Sequence, residues 1–197
     1  MSNNREYRNM ELRLLEATEE NNYKVEGYAS TFEPYKMAEI DGVDYFERIE
    51  PTAFEDADMT DTVFRVDHTG PVYARTSAGT VELWVDEHGL GTRADLSKTQ
   101  RAKDLYADIA AGNYPKMSFA FVVSDDHYDR ETYTRVIDRI SKVYDVSPVS
   151  FPANPTTELN ISARDYFNGV IEAEKAERLE REKREAQKQR IRILKEK

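Results

Sequence analysis

From residue 163 onward the chain has no proline and one glycine, Gly169, whereas everything before it is punctuated by both. That break divides the sequence into two kinds of polymer. Residues 163–197 are strong helix formers with opposite charges four apart, as at Glu174–Arg178 and Glu180–Arg184. Ser162-Ala-Arg-Asp165 offers a cap with an acid at the third helical position, so a helix is predicted from there to about Lys195. Its apolar residues are sparse (Phe167, Ile171, Leu179, Ala186, Ile191, Leu194) and sustain no heptad. Two readings stand for it: a solvated single helix, or a segment for partner binding and assembly. The expected division is a body over 1–161 and a charged helical extension over 162–197.

The body reads as β-rich. Glu11–Leu15 and Tyr23–Phe32 are expected as an opening strand pair turning at Glu19–Asn22. Residues 63–68 alternate cleanly. Val81–Val85 and Leu90–Leu96 flank the turn Asp86-Glu-His-Gly89. Residues 117–123 and 133–150 are expected as two further strands joined by the polar stretch 124–132. One helix is predicted over Thr99–Ala111, capped by Ser97 or Thr99 and ended by Gly112. Its place between strands suits a helix packed on a barrel better than a repeating βαβ pattern.

Composition removes several chemistries. With no cysteine there is no disulfide, thiol nucleophile, Cys-ligated zinc or iron–sulfur cluster. The net charge of -10 argues against direct nucleic-acid binding through broad phosphate attraction. That charge is uneven: 163–197 carry 11 basic and 8 acidic residues, the remainder 17 and 30. The longest purely apolar run, Phe119–Val123, is far short of the ~20 residues of a membrane span. The polar start MSNNREYRN is followed by no apolar signal region. No membrane association is expected, and the setting is expected to be cytosolic.

Strand alternation then singles out three residues. His68 ends the face of Phe64 and Val66. Ser118 shares a small-residue face with Ala120 and Val122. Asp145 shares a face with Val143, Ser147 and Val149, where a carboxylate is costly unless paired. A serine, a histidine and an acid are what acyl transfer needs: a weak nucleophile, a base poised near neutrality, and a group that fixes the imidazole tautomer. The rival reading is a partly buried structural His68 with a hydrogen-bonded Ser118. Of the other histidines, His88 falls in a predicted turn. His127 falls in the polar connection, solvated or replacing Asp145 as third member. Asp67 points to the opposite face from His68. Ser147 either hydrogen-bonds near Asp145 or is simply a polar residue of the β-face, the second being the favoured reading. Pro152 and Pro155 end the last strand. A metal hydrolase would need all three histidines, two of which lie in predicted loops, so no metal or other cofactor is expected.

Longer segments carry a resemblance: Val25-Glu-Gly-Tyr-Ala-Ser30, FERIEPTAF over 46–54, Val66-Asp-His-Thr-Gly70, Asp86-Glu-His-Gly-Leu90, Lys116-Met-Ser-Phe-Ala-Phe121 and VYDVSPVSFPANP over 143–155. In order and content they resemble the prohead (capsid maturation) serine proteases of tailed bacteriophages, relatives of the herpesvirus assemblins. The resemblance covers about residues 10–160. It implies an α+β, β-rich fold: a herpesvirus-protease-like β-barrel flanked by helices, here with a long C-terminal helix. It places the family's histidine on His68, its nucleophile on Ser118 and its third member on Asp145. That third position is commonly Glu in phage members and a second histidine in the herpesvirus enzymes. Pro51-Thr-Ala-Phe54 departs from the usual Pro-Gly-Ala-Phe at a loop. The implied activity is a serine endopeptidase that cuts the major capsid protein or its scaffold segment, and itself. It would act as a homodimer inside the assembling prohead in the host cytoplasm. Oxyanion donors are expected either from backbone N–H groups around Ser118 or from a segment carrying Arg139. The non-enzymatic alternative is a β-barrel scaffold or assembly protein of the capsid. The two readings separate on whether His68, Ser118 and Asp145 lie within hydrogen-bonding reach.

Overall fold

A computed structural model describes residues 6–14, 22–150 and 158–195. In chain order these form β1 (Glu6–Leu14), β2 (Lys24–Thr31), β3 (Tyr35–Ile40), β4 (Val43–Ile49), β5 (Val63–Val66), β6 (Thr69–Arg75), β7 (Val81–Val85), β8 (Gly89–Asp95), α1 (Gln100–Ala110), β9 (Lys116–Asp129), β10 (Thr134–Val149) and α2 (Glu158–Lys195). The strands join in the order β3-β4-β10-β9-β1-β2-β8-β7, with β5 and β6 added beside β10. β10 is the hub. It runs antiparallel to β9 along its length, and parallel to β4 at Thr134–Ile137 and to β5 at Asp145–Val146.

Local chemistry explains the elements. Thr99 caps α1 by accepting from the Ala102 N–H at 3.1 Å, and Leu105 and Ile109 turn inward. Asp41 and Gly42 take left-handed backbone (φ 52° and 78°), the two-residue turn that joins β3 to β4. Gly91 lets the Trp84 ring lie on β8, since an added Cβ would sit 2.1 Å from that ring. Phe119 and Phe121 stack at 4.4 Å within one core to which β2, β4 to β10 and α1 all contribute.

The curled sheet differs from the expected barrel. Among the described residues no ladder closes the path from β3 to β7. The turn Thr76–Ala78 leads from β6 to β7, and there the Arg75 and Thr80 backbones are tied by a 3.1 Å hydrogen bond. β3, β4 and β6 are strands beyond those the sequence pattern predicted. β9 continues through the polar stretch expected as a connection, because its outer residues find cross-strand partners such as His127–Asp138 at 2.6 Å. α2 starts at Glu158, so Ser162 lies inside the helix instead of capping it. Residues 15–21, with most of the expected first turn, and 151–157, with Pro152 and Pro155, lie outside the described residues.

Two features fasten the periphery to this core. Phe167 of α2 is fully buried against Ala38 and Tyr45, its ring 4.9 Å from that of Tyr45. Beneath lies a buried ion network. The Arg8 guanidinium on β1 donates to Glu47 on β4 and to Glu6. Arg135 on β10 donates to Glu47 at 3.0 Å and to Glu6 at 2.7 Å, and also bonds Asp126 on β9. Tyr166 of α2 packs on the Arg135 guanidinium at 4.6 Å. Burial pushes the Glu6 carboxyl up, but hydrogen bonds and charge from Arg135 and Arg8 outweigh it and hold it below its ordinary value. Glu47, 1% exposed, bonds both arginines, as Glu6 does. Replacing it removes one of the two acids that lie between these buried cations and leaves Glu6 to neutralise both. Glu47→Ala is expected to cost about 3–5 kcal/mol in urea unfolding; a loss under 1 kcal/mol would contradict this account.

Candidate active site

His68 does not end a strand. β5 stops at Val66, and Asp67 and His68 form the turn into β6, both with left-handed backbone (φ 46° and 56°). Non-glycine residues adopt that region sparingly, so the alternation of faces ends at Val66 and the turn aims the imidazole. The turn is pinned to the end of β10. The Asp67 N–H donates to the Pro148 carbonyl at 3.1 Å. The Asp67 carboxylate accepts from the Ser150 N–H at 2.9 Å and from its hydroxyl at 3.1 Å. Asp67 therefore serves the turn rather than the imidazole.

Asp145 owes its direction to a β-bulge. Val143 opposes Phe121 and Asp145 opposes Ala120, leaving Tyr144 as the extra residue. Phe121 and Val143 face the core. Asp145 is thus turned away from Val143 onto the face of Ala120 and Ser118, where plain alternation placed it beside Val143. Ser147 directly opposes Ser118 and shares that face. Ser118 sits in mid-sheet, opposite Asn9 of β1 on its other side.

The three sequence-selected residues meet here. His68 Nδ1 lies 2.6 Å from Asp145 Oδ1, and His68 Nε2 lies 2.7 Å from Ser118 Oγ. A carboxylate only accepts, so Nδ1 carries the proton and donates to Asp145. In the neutral ring Nε2 is then the acceptor for the Ser118 hydroxyl. Ser118 is 0% and Asp145 2% exposed, and only the histidine, with 17% of its side chain exposed, reaches solvent. A fourth residue joins them. Ser147, for which the sequence favours a plain polar role over a hydrogen bond near Asp145, donates to Asp145 Oδ1 at 2.6 Å from a fully buried position.

The remaining sequence candidates lie elsewhere. His88 is exposed in the β7–β8 turn. That turn is organised by Asp86, whose carboxyl is lowered to about 2 by hydrogen bonds from Tyr28, the His88 N–H and Trp84. His127 bonds Asp138 nine residues along β9 from Ser118, about 30 Å away. Arg139 pairs with Asp125, about 23 Å from Ser118 along the strand, too far to supply an oxyanion donor. Ladders on both sides also engage the backbone of Ser118, so its own N–H is not free for that role. Among the described residues no group of three or more His, Cys, Asp or Glu side chains could hold a metal ion.

The Asp67–Ser150 tie makes a separate prediction. Asp67→Ala should lower stability by about 1–2 kcal/mol in urea unfolding, through loss of hydrogen bonds to an ionised side chain. An unchanged midpoint would mean that the tie does not hold the turn.

A solved structure of the bacteriophage T4 capsid assembly protease is similar to this chain at 13% sequence identity and a TM-score of 0.43, covering 74% of this chain and 96% of that one. No curated protein matches the sequence. The profile of the caudovirus prohead serine proteases matches residues 8–170. The chain belongs to the caudovirus prohead serine protease family.

Proposed function

We propose that this prohead serine endopeptidase works through His68, Ser118 and Asp145, and that it trims capsid protein or its scaffold segment, and itself, during prohead maturation. One observation supports the site assignment above the others: the continuous hydrogen-bonded path from the Ser118 hydroxyl through both imidazole nitrogens to Asp145. Aspartate is one methylene shorter than the glutamate common in the family. Here the turn at 67–68 and the bulge at Tyr144 bring the histidine and the short acid together.

As Ser118 Oγ bonds to the scissile carbonyl carbon, His68 Nε2 takes its proton. The Asp145 carboxylate stabilises the imidazolium that forms. When the tetrahedral intermediate collapses, the C–N bond breaks and His68 returns the proton to the leaving amine. Water then adds to the acyl-enzyme ester with His68 again as base, releasing the new carboxylate and Ser118. Ser118 is 0% exposed, so Oγ must become accessible before substrate can reach it.

The wider reading gives the chain two parts, a protease body over 1–161 and a charged helical extension over 162–197. It also includes a homodimer acting inside the assembling prohead in the host cytoplasm. The profile match supports the protease over the scaffold reading. The test is co-expression with the coat-protein precursor of the same phage, followed by gel analysis. Ser118→Ala should fold and abolish trimming of the precursor and of the protease, and Asp145→Asn should slow it about ten-thousand-fold. Continued trimming by Ser118→Ala would remove it as nucleophile.

A further inference from the structure

We propose that Ser147 is a positioning residue for the reaction, its hydroxyl fixing the Asp145 carboxylate against His68. The inference rests on the triad reading above and adds a member that acts only through Asp145. Ser147 Oγ and His68 Nδ1 both lie 2.6 Å from the same oxygen, Asp145 Oδ1. Two donors therefore converge on one acceptor. An aspartate carboxylate turns about a broad, soft terminal torsion. A second donor removes that freedom and leaves Oδ1 aimed at the imidazole. Ser147 can do this because its own backbone is fixed: it stands directly opposite Ser118 in the β9–β10 ladder. It does not compete as nucleophile, since its hydroxyl is committed to Asp145 and His68 Nε2 is taken by Ser118. Burial raises the stakes, because a carboxylate that is 2% exposed depends on the protein for its donors.

The experiment measures trimming of purified coat-protein precursor by the full-length protease, in a cycle of Ser147→Ala, Asp145→Ala and the double variant. Ser147→Ala should lower kcat about 10- to 100-fold with KM nearly unchanged. In the Asp145→Ala background the same substitution should cost nothing more. The proton NMR spectrum provides a second readout independent of substrate. A downfield His68 Nδ1–H resonance, identified by its loss in His68→Ala, should move upfield in Ser147→Ala. It reports on folded protein, so a loss of stability leaves it readable. Wild-type kcat in Ser147→Ala, an equal further loss in the Asp145→Ala background, or an unmoved resonance would each overturn the proposal. If Asp145→Ala itself trims at the wild-type rate, the triad reading falls and takes this one with it. If Asp145→Ala is inactive and Ser147→Ala is normal, only the role of Ser147 falls.

Discussion

The last six residues of β10 and its exit, 145–150, hold the site together. Asp145 receives the imidazole, Ser147 holds Asp145 and opposes Ser118, the Pro148 carbonyl anchors the Asp67 N–H, and Ser150 grips the Asp67 carboxylate. Histidine, serine and acid come from a turn and two strands far apart in sequence. They meet because one short stretch of backbone has ladder bonds on one side and turn bonds on the other. Such a site is pre-organised by sheet hydrogen bonding rather than by flexible loops.

That arrangement has a cost, and the fold meets it locally. A left-handed histidine is strained, and a carboxylate at 2% exposure is expensive to bury. The Asp67–Ser150 tie offsets the first, and two donors on Oδ1 offset the second. At the opposite end of β10, Arg135, Arg8, Glu47 and Glu6 neutralise one another and link β1, β4 and β10. Tyr166 and Phe167 bring the start of α2 onto the same region, while residues beyond it such as Leu179 and Ile191 stay exposed. The docked turn of the helix falls within the family match, which ends at residue 170.

Much of this was legible in the residues, for physical reasons. The pairings of β1 with β2 and of β7 with β8 follow from alternation and turn chemistry, and α1 follows from its cap and inward stripe. His68, Ser118 and Asp145 could be named because the residue types suit the chemistry and the motifs resemble a family. Their directions could not be read, because alternation fails wherever the backbone leaves the strand. It fails at the left-handed pair 67–68, and again at Tyr144, where an extra residue flips everything after it. Alternation puts Ser147 on the face of Asp145, but beside Val143 rather than Ser118, so the favoured reading is a plain polar residue; the bulge is what carries both onto the Ser118 face. The Asp41-Gly42 turn was a readable hairpin signal between β3 and β4. The outer half of β9 was not readable, since its polar residues become strand only through partners on β10.

The central claim is that His68 and Ser118 act as one unit, and a double-substitution cycle on trimming rates tests it most directly. His68→Ala, Ser118→Ala and the two combined should all leave the same residual rate, because either change alone already destroys the proton transfer. Losses that multiply in the combined variant would show two residues acting independently, and would contradict the account.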